Sequence, residues 1–158
     1  MNKRFNDYLS SLTPKKRDLA AEAIAEFLKG ESDNMETICT ATQVYNFCRD
    51  MGLLDVEHFD ILLLNHNFKV IKRVNISVGG LTETVVDLRI IFRECLLNNA
   101  TILMCVHNHP SGNLRPSKYD DELTESIRKA AQLLRIRFAD HVIIGGGSYY
   151  SYHEQGKL

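Results

Sequence analysis

The run Thr101-Ile102-Leu103-Met104-Cys105-Val106 constrains this chain most. It is apolar at nearly every position, so it has no wet side and dry side. A strand of that kind is buried on both faces, inside a sheet covered by other elements. Val142-Ile143-Ile144 and Ile61-Leu62-Leu63-Leu64 are shorter runs of the same character. Helical spacing appears between them. Asp87 can cap a helix to about residue 97 that turns Leu88, Ile91, Cys95 and Leu96 inward. Leu123, Ile127, Ala130, Ala131 and Leu134 form the inner stripe of a long helix expected over 118–135. Strands interleaved with helices imply an α/β sandwich around a mixed sheet.

The remaining chain fits around this centre. Thr13 and Pro14 can open a first helix, with Leu19, Ala23, Ile24, Phe27 and Leu28 on one face and Gly30 ending it. A polar linker follows over 31–34, then a second helix over 41–51 with Val44, Phe47 and Cys48 inward. Asn65-His66-Asn67 is a turn joining strand 61–64 to a hairpin partner over 70–78, which Gly79-Gly80 breaks. Gly145-Gly146-Gly147 turns the chain into an edge strand over 149–153, whose free edge would suit a peptide or a second copy. The expected organisation is an N-terminal helical extension, 1–56, and a metal-binding domain, 57–158.

Composition narrows the function classes. Of 158 residues 44% are hydrophobic, enough for a core, and the net charge of -1 leaves no footprint for nucleic acid or membrane. The basic clusters Lys15-Lys16-Arg17 and Arg135 with Arg137 read as solvated faces. No apolar run nears the roughly 18 residues of a membrane span. Residues 1–12 are polar and lack the apolar stretch of a signal peptide. The four cysteines include no C-x-x-C pair, and Cys95 and Cys105 sit in apolar surroundings as small core residues. The expected compartment is the reducing cytoplasm.

The chemistry concentrates after the central strand, in His107-Asn108-His109-Pro110-Ser111-Gly112 and on to Pro116-Ser117 and Asp120. Side chains two apart on a strand share a face, so His107 and His109 can meet one ion. Asp120, in the first turn of the long helix, supplies a carboxylate. Two histidines and one aspartate leave a fourth position for water, the mark of a catalytic zinc site. Ligand type alone leaves iron, manganese and nickel open. A metal there would lower the pKa of its water toward about 7. An isolated H-x-H is weak evidence by itself. Ser117-x-x-Asp120 is also a capping arrangement, with the carboxylate favoured by the helix dipole. Capping does not compete with metal binding, because it holds Asp120 beside the strand end.

This spacing resembles the metalloprotease motif of the JAB1/MPN (JAMM) superfamily. His-Asn-His-Pro-Ser-Gly, followed by Pro116-Ser117 and Asp120, is similar to the bacterial RadC family. So are Glu57-His58-Phe59 before Leu62-Leu63-Leu64, Val78-Gly79, and Asp140-His141 before the run 142–145. The resemblance covers about the last two-thirds of the chain. It implies the JAB1/MPN fold, related to cytidine deaminases, with a mixed sheet flanked by helices. It also implies one Zn2+ per chain, an upstream glutamate as general base, and a serine donating to the oxyanion. Glu57 takes the first role ahead of Glu83 and Glu94, because it directly precedes the first core strand, and Ser117 takes the second. Asn108 stands where JAMM proteases carry Ser or Thr, which separates this chain from isopeptide specificity. The helix-hairpin-helix of many RadC proteins would contact DNA, but residues 1–56 show no Gly-x-Gly hairpin.

The expected function is therefore zinc-dependent hydrolysis of a peptide or amide bond in an unidentified peptide or protein substrate. The alternative is a metal-containing binding module for a protein or DNA partner, associated with DNA repair. His141 reads as a structural histidine at a sheet end, with a place as fourth ligand or behind the ligands left open. His58 and His66 read as surface or turn residues. The glycine run lacks a G-x-G-x-x-G frame, and the H-x-E with P-C-x-x-C of a deaminase is absent.

Overall fold

The computed structural model describes residues 11–16, 19, 35–79 and 86–158. The chain divides into two compact units, Met1–Met35 and Glu36–Leu158. Most of the helix expected over 13–30, the linker at 31–34, Gly80 and Glu83 lie outside the described residues.

The second unit is built on a five-stranded sheet. Its strands are β1 (His58–Leu64), β2 (Val70–Val78), β3 (Ile102–Asn108), β4 (Arg137–Gly145) and β5 (Ser148–Ser151), in the order β2-β1-β3-β4-β5. Only β3 and β4 run parallel. The crossover between them is the helix α3 (Lys118–Leu133), as a parallel pair requires. Ile102 to Val106 of the central run lie in β3, where every residue is buried, while Thr101 precedes the strand and is exposed. The edge strand ends at Ser151 rather than 153, because Tyr152 and His153 enter a turn.

Alternation along the inner strands divides the core in two. Phe59, Ile61, Leu63, Leu103 and Cys105 face α2 (Leu88–Leu97) and α3, packing on Ile91, Cys95, Leu123 and Ile127. Leu62, Leu64, Met104, Val106, Val142 and Ile144 face α1 (Ala41–Phe47) and a 3-10 turn, Arg49–Leu53, packing on Ala41, Val44, Cys48 and Met51. Each such side chain contributes about 1.5–3 kcal/mol by leaving water. The helix expected over 41–51 thus forms in two pieces, and α1 covers one face of the sheet. The boundary expected at residue 56 falls within the second unit.

Local chemistry sets the joints. Asn65 Oδ1 accepts the N–H groups of Asn67 and Lys69, closing the β1–β2 hairpin at the expected turn. Asp87 caps α2 through the N–H of Arg89. Both β1 and β4 begin earlier than their apolar runs suggested. Asp60 extends β1 because Arg73 and Asn75 on β2 donate to its buried carboxylate. Asp140 extends β4 because the Ser151 hydroxyl and two backbone N–H groups donate to its own.

Candidate metal centre

His107 is on β3 and His109 is one residue past its end. The His109 N–H donates to the Ile144 carbonyl (2.8 Å), so the chain still follows β4 there and both imidazoles share a face. Phe59, opposite His107 on β1, stacks on its ring at 6.0 Å between centroids. Glu57 precedes β1 on the same face. Ser117 caps α3 in a full capping box. Its hydroxyl accepts the Asp120 N–H (3.1 Å), while its own N–H and O–H both donate to Asp120 Oδ2 (2.7 Å each). The box aims Oδ1 away from the helix, toward the strand end.

These elements bring Glu57, His107, His109 and Asp120 together, each offering one ligand atom, all within 4.8 Å of one another. His107 Nε2 lies 3.0 Å from His109 Nε2, 3.2 Å from Asp120 Oδ1 and 3.9 Å from Glu57 Oε1. The side chain of His107 is 1% exposed, that of Asp120 6%, His109 16% and Glu57 33%. The group is closed toward the core and open on the Glu57 side.

Hydrogen bonding fixes the character of these atoms. His109 Nδ1 donates to the Asn113 carbonyl, which leaves Nε2 of the neutral ring with a lone pair. Burial works against ionisation of Asp120, but its contacts with His107 and His109 outweigh that and hold its carboxyl well below the usual range. The Asp120 carboxylate in turn raises the His109 imidazole. Acceptors converging from two imidazoles and two carboxylates fit a bound cation, which would satisfy all of them at once. This donor set suits one metal ion.

Three parts of the surroundings had little signal in the sequence. Asn108 points away from the group and clamps the Glu57 segment: Oδ1 accepts the His58 N–H (2.7 Å) and Nδ2 donates to the Val56 carbonyl (3.0 Å). The glycine run docks on the loop that follows His109. A Cβ on Gly145 would lie 3.1 Å from the His109 carbonyl oxygen, and one on Gly146, at φ +55°, 3.0 Å from that of Gly112. His141 is not among the converging ligands. It is fully buried behind His107, where burial holds its imidazole well below the usual value. Glu94, the alternative acid on α2, pairs with Lys72 and Arg93 instead.

The sequence profile described as "RadC-like JAB domain" matches residues 38–157. The chain belongs to this RadC-like JAB family. Among its relatives, a UPF0758 protein of Flavobacterium johnsoniae is 42% identical over 106 residues, covering 67% of this chain and 46% of the relative. One of Porphyromonas gingivalis is 43% identical over 106 residues, covering 66% and 47%. One of Thermotoga maritima is 33% identical over 123 residues, covering 78% and 55%. The chain therefore spans about half the length of the curated relatives it matches. The mixed sheet between helical layers agrees with the JAB/MPN fold expected from the motif. No helix among the described residues is long and apolar enough to cross a membrane.

Proposed function

We propose that this RadC-like domain is a zinc-dependent hydrolase of the JAMM type that cleaves a peptide or amide bond. The observation that carries the reading is the meeting of ligand atoms from Glu57, His107, His109 and Asp120 at one point, with Glu57 the most exposed of the four. His107, His109 and Asp120 would hold one ion, which when bound supplies Lewis-acid polarisation and a water of pKa near about 7. Glu57, at the exposed rim, would take a proton from a water at the site and return it to a leaving nitrogen. Asn108 holds that glutamate by binding the backbone on both sides of it.

Ser117 has a harder task. Its hydroxyl proton is directed at Asp120 Oδ2, so donation to an oxyanion requires a turn about its Cβ–Oγ bond. The Ser117 N–H stays on Oδ2 through that turn, so the carboxylate remains oriented. An oxyanion donor gained this way contributes about 3 kcal/mol to the transition state. The proposed substrate is a peptide or protein, and the proposed compartment is the reducing cytoplasm, where the unpaired Cys39, Cys48, Cys95 and Cys105 would stay reduced.

The test compares zinc-loaded parent and Glu57→Gln on a pool of peptides and simple amides. The parent is expected to turn over, and Glu57→Gln to keep one equivalent of zinc while losing roughly 10²-fold or more in rate. Equal rates would remove Glu57 from the chemistry. Zinc bound by the parent without hydrolysis of any member would leave the metal-containing binding module as the better reading.

A further inference from the structure

Thr124 and His141 lie behind the metal group, 3% and 0% exposed. Thr124 is one turn after Asp120 on α3, and His141 is on β4 beside β3. Their hydrogen bonds form a line. Thr124 Oγ1 is 2.6 Å from the Asp120 carbonyl oxygen and 2.6 Å from His141 Nδ1. His141 Nε2 is 2.8 Å from His107 Nδ1.

The protons along this line follow by elimination. A carbonyl only accepts, so the single hydroxyl proton of Thr124 goes to Asp120, the familiar bond of a helical threonine to the residue four earlier. Thr124 Oγ1 then offers His141 only a lone pair, and His141 Nδ1 must donate. The His141 ring is enclosed between Phe59 and Tyr152, with no carboxylate among its hydrogen-bond partners in the described residues. A second proton would make it a buried cation without a bonded counter-charge, which is costly. The neutral ring therefore accepts at Nε2, and His107 must donate from Nδ1. In the neutral ring of His107 the lone pair is then on Nε2, the nitrogen 3.2 Å from Asp120 Oδ1.

We infer that Thr124 and His141 are positioning residues, which hold His107 in the one tautomer that can ligate a metal. They also close a loop between two proposed ligands, from the Asp120 carbonyl through Thr124 and His141 to His107. Helix α3 and strand β3 are thereby tied at the depth of the site. The inference rests on the metal reading for its purpose, whereas the tautomer stands on hydrogen bonding alone.

The experiment uses the full chain, first without metal. Long-range ¹H–¹⁵N spectra of the ring nitrogens are expected to place the His107 proton on Nδ1 in the parent. In Thr124→Val and in His141→Phe that preference should weaken or reverse. Zinc is then titrated against a chromophoric chelator. Thr124→Val should bind roughly 10–100-fold more weakly than the parent, the usual cost of losing a partner behind a ligand. Thr124→Ser keeps the hydroxyl and should bind like the parent. A neutral parent His107 with its proton on Nε2, or a Thr124→Val that binds zinc as tightly as the parent, overturns the inference. Equal losses in Thr124→Ser and Thr124→Val would trace the effect to packing and overturn it too. A parent that takes up no zinc defeats the metal reading instead, and the metal-free spectra still decide the tautomer.

Discussion

Asp60 and Asp120 are buried to nearly the same degree, 5% and 4% exposed, on opposite faces of the sheet. Their surroundings differ in kind. Asp60 receives Arg73 Nε at 2.6 Å on one oxygen and Asn75 Nδ2 at 2.7 Å on the other. The remaining guanidinium nitrogens of Arg73 go to Asp50, at 2.7 and 3.0 Å. Acceptors and donors match, and nothing is asked of a ligand. Among the described residues Ser117 donates to Asp120 Oδ2, while Oδ1 lies 3.2 Å from His107 Nε2, which is itself 3.9 Å from Glu57 Oε1. Buried acid by itself says little about function. Acceptors aimed at one another say more, because burial without a donor costs free energy that a cation would recover.

This contrast predicts opposite responses to removing each aspartate. The largest effect belongs to Asp120→Ala, which should bring bound zinc from about one equivalent to none, read by metal analysis of the purified protein. Zinc at about a hundred times its Kd should stabilise the parent by ~2.7 kcal/mol and leave Asp120→Ala unmoved. Without metal the same variant should cost only about 1 kcal/mol, the usual worth of a lost cap. Asp60→Ala should behave the other way: a loss of about 2–3 kcal/mol in urea unfolding, with zinc stoichiometry unchanged, because Arg73 Nε and Asn75 Nδ2 lose their acceptor while Asp50 keeps the rest of the guanidinium. A metal-free Asp120→Ala as damaged as Asp60→Ala would mean that the site is an ordinary ion-paired network.

Asn108→Ala tests the part of the comparison that concerns Glu57. The substitution strands the His58 N–H and the Val56 carbonyl, at a cost of roughly 1–3 kcal/mol in unfolding free energy. Zinc should stay, since Asn108 points away from the converging atoms, but any hydrolysis that depends on Glu57 should slow. Undiminished turnover would show that Glu57 keeps its place without the clamp.

The ligand pattern was legible because it is local: His107 and His109 two apart at a strand end, and Asp120 in a capping box with Ser117, are fixed by periodicity and cap geometry. The central position of β3 was legible from an apolar run without alternation. What escaped depends on contacts between distant segments. The first three residues of β1 include Asp60, a poor strand residue until Arg73 and Asn75 arrive from β2. Thr124 looks like any polar helix residue until β4 brings His141 against it. The glycines at 145–146 read as a turn, although their lack of Cβ also admits the loop after His109. Partners 13 to 36 residues away leave no periodic trace, so a single sequence shows the residues without their roles.

The smallest effect sharpens the contrast at the exposed end of the Arg73 network. Hydrogen bonds from Arg73 hold the Asp50 carboxyl below its ordinary value of 3.8, against a smaller opposing effect of burial. A depressed carboxyl pKa contributes stability that is present above the unfolded value and lost as pH falls through the folded one. Asp50 is 64% exposed, so solvent screens the pair and its contribution should be under about 1 kcal/mol. Urea unfolding of the parent and Asp50→Ala at neutral pH should show that small difference, and it should vanish well below pH 3.8. Asp140 has the opposite slope. Burial raises its carboxyl, against the hydrogen bonds from Ser151 and the backbone, so folding favours its protonated form and stability falls as pH rises above the unfolded value. A difference between parent and Asp50→Ala that persisted in acid would show that Asp50 acts through packing. The exposed arm of the network would then be steric rather than ionic, and only Asp60 would remain as the charge-matched counterpart of Asp120.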